Sequence, residues 1–300
     1  MRKRRAYISF PPETGNDPAL LSMQKVLEGL NIKFSVRIYA QSGQPSEAFV
    51  EVYNLNREDL AYLTTTSATL VQKQNLFQLY AGYENDVKML FSGQVFEATP
   101  DGTPDVVLSL RGLSDVKWWG HNLEMQKSQV KVMDLIDYAA EQMGYEVNID
   151  ERLRQTNELL NTVKEDYSFT GSPMQLLEQV QSMVGGVTAD PQTVFISTYN
   201  GQINIWSPST QQVASKLVIN KKSGMIGLPK PTGAGCKVKI LLNNGIKTGD
   251  VVEIQSDRLS VANGDYYVIG ITHEGELRGR NWYSTLDCSR VSNYKAGGYE

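Results

Sequence analysis

Histidine and cysteine carry much of the acid–base, metal and thiol chemistry of proteins, and this chain holds two of each. The histidines are His121 and His273. The pair His273-Glu274 begins like the helical motif of zinc proteases, but the second histidine is absent and the segment alternates like a strand. We therefore expect His273 to be a structural side chain at a strand end, held by one backbone hydrogen bond.

The two cysteines, Cys236 and Cys288, lie in alternating apolar patterns that are typical of strands. Neither has a nearby histidine or a helix start that would lower the pKa of its thiol. Two cysteines do not make a disulfide framework. We expect two buried free thiols in one barrel core, in a protein that folds in a reducing cytoplasm.

The remaining candidates for chemistry are equally weak. No serine lies in a nucleophile elbow. The segment 227–233 contains glycine and lysine, but its prolines remove the backbone donors that a phosphate-binding loop needs, so an extended segment is expected. The carboxylate pairs Asp134/Asp137 and Glu165/Asp166 fit solvated charge. The sequence therefore predicts no catalytic residue, no cofactor-binding site and no metal site.

Composition narrows the classes of protein that remain. The chain has 300 residues, a length that is enough for two or three domains with cores of their own, and 41% of the residues are hydrophobic. Its net charge of −4 does not favour nucleic-acid binding. The basic run over residues 2–5 favours a solvated or partner-docked terminus over a localisation signal or a phosphate-binding arm. We expect no membrane insertion, because no apolar run is long enough to span a bilayer, and no signal peptide.

The N-terminal third reads as short strands with one helix inserted. Asn56 caps the helix, with Asp59 three residues on, and Gly93 marks a bulge or bend. Five strands with one helix predict a small, strongly bent barrel. The predicted strands cover residues 34–38, 50–55, 76–80, 89–98 and 106–110.

The middle of the chain changes to a helical pattern. One helix covers 132–143 and ends before Gly144; a second opens at Ser172-Pro173 and stops at Gly185-Gly186. The two helices share a faint sequence echo that suggests an α/β duplication. A hairpin follows, pairing residues 194–198 with 202–206 across Asn200-Gly201.

The C-terminal third returns to strands. Residues 208–222 are mostly polar and form a candidate linker, and the tail 293–300 is expected to be loose. Strands separated by glycine- and asparagine-rich turns predict a second small barrel over 237–242, 250–255, 266–274 and 282–288. The fold class is therefore β-rich α+β, two small β-barrels flanking a central α+β region, with domains at 1–115, 116–215 and 216–300.

Small barrels also bind single-stranded nucleic acid through stacked aromatic side chains and basic grooves, so nucleic-acid binding is an alternative function. The C-terminal segment offers both residue types, although acidic neighbours offset the basic field. The candidates are Lys237, Lys239, Arg278, Arg280, Tyr266, Tyr267 and Trp282.

Five segments, taken in order along the chain, carry a family pattern. They are FVEVYNLNREDLAYL (49–63), LYAGYENDVKMLFSGQV (79–95), LSLRG (108–112), GCKVKILLNNGIKTGDVVEI (235–254) and NGDYYVIGITHEGELRGRNWYSTLDC (263–288). In these segments and their order, the chain resembles the baseplate hub proteins of contractile-tailed bacteriophages and related phage-tail-like particles.

The resemblance implies a structural protein of the virion, assembled in the host cytoplasm, rather than an enzyme. It implies a homotrimer in which each chain contributes two tail-tube-like barrels to a pseudo-sixfold ring that joins the sixfold tail tube to the threefold central spike. His273 and Trp282 become fold-supporting positions, and no cofactor is expected.

Implied partners are the tail tube protein, the central spike protein and other baseplate proteins, with the tape measure protein as a further candidate. Genomic DNA would pass through the lumen without specific binding. Because the chain ends soon after the second barrel, we expect the spike to be a separate polypeptide. The competing functions are a baseplate-associated cell-wall hydrolase and a small-barrel single-stranded nucleic-acid-binding protein.

Overall fold

Strands dominate the fold, and the longer helices lie in the middle of the chain. The structure is a computed structural model that describes residues 3–11, 25–40, 45–61, 63, 76–102, 105–185, 193–199, 201–207, 216–233 and 235–290. Parts of the predicted linker and of two turns, and all of the predicted tail, lie outside these residues: Gly186, Asn200, 208–215 and 293–300.

Within its described residues, the first third contains seven strands rather than the five predicted. Arg4–Phe10 was expected to be a terminus, but it is a strand because Ala6, Ile8 and Phe10 alternate with polar side chains and are buried. The strands are β1 (Arg4–Phe10), β2 (Lys25–Leu27), β3 (Asn31–Tyr39), β4 (Glu47–Tyr53), β5 (Leu76–Tyr83), β6 (Asp86–Asp101) and β7 (Val107–Leu113).

The predicted helix cap in this third is confirmed, and the predicted bulge is misplaced. Asn56 Oδ1 accepts a hydrogen bond from the backbone N–H of Asp59 at 2.7 Å, and residues 57–61 are helical. The pairing of β6 shifts beside Leu90 and Phe96, on either side of Gly93. A Cβ on Gly93 would lie 2.6 Å from the carbonyl oxygen of Leu113, so the glycine serves close strand approach rather than a bulge.

The middle region has helices packed against two small sheets. Its elements are β8 (Leu123–Lys131), α1 (Val132–Met143), β9 (Glu146–Ile149), α2 (Glu151–Thr156), β10 (Val163–Gly171), α3 (Pro173–Val184), β11 (Phe195–Tyr199) and β12 (Gln202–Trp206). β8 pairs with β10, and the second sheet has the order β11-β12-β9. The buried faces of α1 and α3 share one core with side chains of both sheets.

Both long helices begin and end as predicted. Gly144 follows α1 with φ of 62°, the left-handed conformation that favours glycine. Ser172 Oγ accepts from the backbone N–H of Gln175 at 3.2 Å, and Gln175 Oε1 accepts from that of Ser172 at 2.8 Å. This reciprocal cap, with Pro173 at the first helical position, explains why α3 starts there.

In the described part of the last third, the four predicted strands are present with two more. Part of the predicted linker is wrong, because Leu217–Ile219 is a strand that runs parallel to the strand Val251–Ile254. The strands are β13 (Leu217–Ile219), β14 (Lys230–Pro231), β15 (Gly235–Leu241), β16 (Val251–Ile254), β17 (Gly264–Glu276) and β18 (Trp282–Arg290).

One thirteen-stranded sheet unites the two ends of the chain. Its order is β14-β15-β18-β17-β3-β4-β7-β6-β5-β1-β2, with β16 paired to β17 and β13 to β16. The junction is the antiparallel pair β3–β17, which runs from Tyr39 opposite Gly270 to Lys33 opposite Glu276. A single hydrophobic core draws side chains from both thirds. The two ends of the chain therefore pack as one body.

Candidate assembly surfaces

His273, the strongest catalytic candidate by residue type, is enclosed in the core. Its Nδ1 lies 2.8 Å from Ser284 Oγ, which also accepts a hydrogen bond from the backbone N–H of Asn243 at 3.0 Å. The imidazole and the Ser284 hydroxyl share one hydrogen bond, and the tautomer of the ring sets which of them donates. Burial lowers the pKa of His273 to about 4, which keeps the ring neutral at pH 7.

The expectation for His273 is thus corrected in two details. The residue lies within β17 rather than at its end, and its hydrogen-bond partner is a side chain rather than the backbone. A neutral, enclosed imidazole between two strands supports the fold. It is poorly placed to exchange protons with a substrate.

The other residues considered for chemistry are dispersed. Asp137 pairs with Arg154, and Asp134 accepts from the backbone N–H of Lys131 at the start of α1. His121 is exposed and packs edge-on against Trp118. Over the part of the chain that the structure describes, no group of three or more His, Cys, Asp or Glu side chains is placed to hold a metal ion.

The aromatic residues proposed to stack nucleic-acid bases are also enclosed. Tyr266, Tyr267 and Trp282 are buried, so their faces are not open to a base. Of the basic side chains, Lys237 pairs with Asp287 at 2.9 Å, and Lys239 Nζ lies 3.6 Å from the centre of the Tyr283 ring. The three candidate rings therefore do not provide a stacking platform for bases.

A buried carboxylate that the sequence gave no reason to single out joins the sheet to the middle region. Asp115 accepts hydrogen bonds from the Tyr145 hydroxyl at 2.6 Å and from Thr198 Oγ1 at 2.7 Å. Burial, followed by the charge of Asp115, raises the pKa of the Tyr145 hydroxyl, which stays protonated as a donor. The three residues lie far apart in sequence, and their contact fixes how the middle region leaves β7.

Arg4 forms a second unexpected connection, between β1 and the turn that joins β17 to β18. Its guanidinium donates to the carbonyl oxygens of Gly279 at 2.8 Å and Glu276 at 3.1 Å. It also lies 5.4 Å from the centre of the Trp282 ring. The basic N-terminal run therefore contributes at least one charge to holding the two ends of the chain together.

Exposed apolar side chains concentrate beside the free edge of β13. Leu217 and Leu241 are 42% and 52% exposed, and both line a cleft of about 620 Å³, here called the Leu217 cleft. Among the described strands β13 pairs with β16 alone, so no described strand lies along its other edge. An apolar cleft beside an open strand edge is typical of a surface that another chain covers.

A second exposed patch lies on the outward face of β4, β7 and β6. The Arg111 guanidinium sits 5.5 Å from the centre of the Phe49 ring and 5.1 Å from that of Phe96, and it pairs with Glu47 at 2.7 Å. Both rings are about two-fifths exposed. Arginine and aromatic side chains are enriched where protein surfaces meet.

Solved structures with the same fold come from tail-like assemblies. A tail protein of Neisseria meningitidis MC58 shares 8% identity with a TM-score of 0.63, over 96% of this chain and 97% of that one. The 43 kDa tail protein of prophage MuSo2 from Shewanella oneidensis shares 9% identity with a TM-score of 0.60, over 96% and 99%.

A third structure with this fold is the E. coli c3393 protein, with 10% identity and a TM-score of 0.57 over 88% of this chain and 74% of that one. It is described as a type VI secretion component with structural similarity to the T4 tail proteins gp27 and gp5. At these identities the likeness establishes the fold, which is one shared with tail proteins.

The family follows from the sequence itself. The family model described as "Baseplate hub gp41" matches residues 16–288, and the chain belongs to this baseplate hub family. Comparison with curated proteins finds no match. The resemblance to phage baseplate hubs is thereby confirmed. Among the described helices, none combines the length and apolar character needed to cross a bilayer.

Proposed function

We propose that this protein is the structural hub of a contractile tail baseplate and that three copies form a pseudo-sixfold ring. In this proposal, residues 1–115 and 216–300 are two tube-like barrels, and 116–215 decorates the ring. The family membership supports the hub role. Three chains with two similar units each reconcile a sixfold tube with a threefold spike.

The observation that carries the proposal is the pairing of β3 with β17. It makes the N- and C-terminal strands of one chain a single wall, whose ordered path ends at β2 on one side and β14 on the other. A ring can close when one end of this wall meets the opposite end of the next copy. The Leu217 cleft supplies apolar surface near the β14 side.

The ring is tested by the solution mass of the full chain. We expect a trimer, and we expect Leu217→Lys combined with Leu241→Lys to shift it to monomer, because two charges would enter an apolar contact. Val163→Lys is the matched control, since Val163 is 48% exposed on β10. A monomer at every concentration, also after mixing with tube or spike protein, contradicts the proposal.

The ring joins the tail tube to the central spike within the virion, with other baseplate proteins around it. The c3393 protein, with its described similarity to the T4 tail proteins gp27 and gp5, supports a place within the tail. Electron cryomicroscopy of the baseplate tests this role. We expect the two barrels of each chain to superimpose at about 60° around a threefold axis. A ring whose barrels do not superimpose would rule out the pseudo-sixfold arrangement.

The proposed hub needs no reaction and no cofactor, and DNA would pass its lumen without specific binding. The paired charges of the exposed sheet face support that last point. Lys33 pairs with Glu51 at 3.1 Å, and Lys237 pairs with Asp287 at 2.9 Å. Salt-sensitive binding of single-stranded oligonucleotides, or digestion of cell walls that His273→Ala abolishes, would favour the competing functions.

A further inference from the structure

A pocket beside β14 has a basic rim that no described side chain neutralises. It has a volume of about 440 Å³, Met225 and Leu228 form its apolar wall, and it is here called the Leu228 pocket. Among its described lining residues only Asp257 is acidic. Four exposed basic side chains line it or lie next to it along the chain, and none of them forms an ion pair with a described residue. These four are Lys221, Lys222, Lys230 and Arg258.

The apolar side chains at this pocket are held at the surface by the backbone around them. Leu228 and Ile226 are 51% and 38% exposed. The backbone N–H of Ile226 donates to the carbonyl oxygen of Lys239 at 2.7 Å, and Lys230 pairs with Lys237. Pairing with β15 on both sides of Leu228 therefore fixes an apolar surface with a positive rim. Such a surface fits a protein partner that carries negative charge.

Like charge excludes two surfaces of a second copy as the partner. Two copies that met through the same pocket would bring four unpaired basic side chains against another four, which is unfavourable. The β1–β2 end of the sheet fits no better, because Lys3, Arg4 and Arg5 line a cleft there in which Glu28 and Glu84 are the described acidic lining residues. A contact between copies at this pocket therefore requires a different, acidic surface.

The acidic surface of this chain lies on the helical side of the middle region. Residues 132–162, which contain α1, β9 and α2, hold seven acidic and two basic residues, whereas the paired strands β8 and β10 together hold three of each. Of the seven, Asp137 pairs with Arg154. The other six are exposed: Asp134, Glu141, Glu146, Asp150, Glu151 and Glu158.

We propose that the Leu228 pocket of one copy binds the acidic surface of residues 132–162 of a neighbouring copy. This inference rests on the proposed ring, in which the β14 side of one chain meets the next, and it names the second surface of that contact. The pocket adjoins the Leu217 cleft, because residues 222–224 line the cleft while Lys221 and Met225 line the pocket. Apolar area and basic rim thus form one continuous contact, in which charge sets the orientation of the neighbour.

Zero-length cross-linking of the full-length chain tests this contact. Unlabelled and isotopically labelled chains are mixed while dilute and then concentrated, and a carbodiimide joins lysine amines to the carboxylates that touch them. Linked peptides are identified by mass spectrometry. We expect pairs of mixed isotopic composition that join Lys221, Lys222 or Lys230 to a carboxylate of residues 132–162. Their yield should fall in high salt, because the contact depends on attraction between exposed charges.

Charge reversal provides a second measurement of the same contact. Lys221→Glu combined with Arg258→Glu should weaken association of the chain by about tenfold or more, as measured by sedimentation, because two attractive contacts become repulsive. Lys33→Glu combined with Arg37→Glu is the matched control. It reverses two exposed charges on the outward face of β3, away from the pocket, and should leave association nearly unchanged.

The outcomes separate this contact from the ring itself. A trimer without mixed-isotope links between the two surfaces, or one that forms equally well with Lys221→Glu and Arg258→Glu, overturns the contact and leaves the ring standing. A chain that stays monomeric contradicts the ring, and this contact with it.

Discussion

Buried polar side chains connect distant parts of this chain, and they are the residues that could otherwise have done chemistry. His273 binds Ser284 between β17 and β18, and Asp115 binds Tyr145 and Thr198 of the middle region. Ser284 lies on the strand next along the chain from His273, whereas the partners of Asp115 lie 30 and 83 residues away. Such groups cost stability when left alone, so each one favours a single arrangement of its neighbours.

Replacing His273 with Asn should remove a pH dependence of stability. The folded pKa of His273 is about 4, below its ordinary value of about 6.5, so below pH 6.5 the unfolded chain binds the extra proton first. Stability from this group is complete above pH 6.5 and is lost as the pH falls towards 4, by roughly 3 kcal/mol. Urea unfolding at pH 7 and pH 4.5 measures it.

The two pH values must be compared within each variant, because carboxylates also titrate in this range. Asn retains an acceptor near the position of Nδ1, so His273→Asn should fold while losing part of the difference between the two pH values. His121→Asn, at an exposed site, is the control for the loss of a histidine elsewhere in the chain. An equal pH difference in wild type and His273→Asn would mean that His273 is not held neutral.

For individual residues, the sequence predicts which side chains are buried better than it predicts their hydrogen-bond partners. The apolar alternation around Cys236 and Cys288 correctly predicts two buried thiols, because burial follows from local pattern. The partners of His273 and Asp115 could not be predicted. Thr198 is 83 residues from Asp115, and nothing in the local sequence of either residue reports that distance.

Among the strands, β1 depends on one long-range charge contact. Arg4→Ala should lower the free energy of unfolding by about 1–3 kcal/mol, because the carbonyls of Gly279 and Glu276 lose a charged donor. Arg5→Ala removes only the exposed pair with Glu28 and should cost less than about 1 kcal/mol. Urea unfolding compares the two. Equal losses would indicate that the contact of Arg4 with the β17–β18 turn adds nothing.

The junction of β3, β17 and β18 depends on a glycine between two aromatic rings. Gly275 lies opposite Phe34 on one side and Trp282 on the other, and these rings meet edge-on at 5.5 Å. A Cβ at Gly275 would lie 2.2 Å from the Phe34 ring. Gly275→Ala should therefore destabilise the protein by about 1–3 kcal/mol through overpacking.

Gly270→Ala provides the matched control for that substitution. It lies in the same strand, and its Cβ would meet its nearest neighbour at 3.5 Å, an ordinary contact. Thermal unfolding of both variants should show a lower Tm for Gly275→Ala alone. If Gly270→Ala is equally destabilising, the cause is loss of glycine in the strand rather than the ring at position 34.

A helix or strand can be predicted from the sequence when the contacts that stabilise it lie close to it along the chain. α1 and α3 were placed correctly because their caps, at Gly144 and Ser172, lie within the helices' own sequence. β13 was mistaken for linker because this three-residue strand pairs in parallel with a strand more than thirty residues on. β1 is not predicted because its basic residues suggest solvent, whereas its backbone pairs with β5 and its buried face lies in the core.

For the molecule as a whole, the joined sheet couples the folding of the two ends of the chain. The sequence indicates two β-rich ends of similar size, and the structure adds that they share a sheet and a core. The middle region has a separate core, and a small cluster around Phe195, Trp206 and Tyr267 connects it to the sheet. Cooperative unfolding should follow cores rather than sequence order.

The two cores predict two cooperative units, one of which is discontinuous in sequence. Hydrogen exchange should show β3 and β17 opening together, while α1 and α3 open as a second unit. A fragment of residues 116–207 should fold alone, whereas 1–115 should not, because the β3 edge that pairs with β17 would be left open and apolar. If the fragment of residues 1–115 folds stably by itself, the N-terminal unit is an independent domain. The β3–β17 pairing would then be only a contact between two barrels that fold independently.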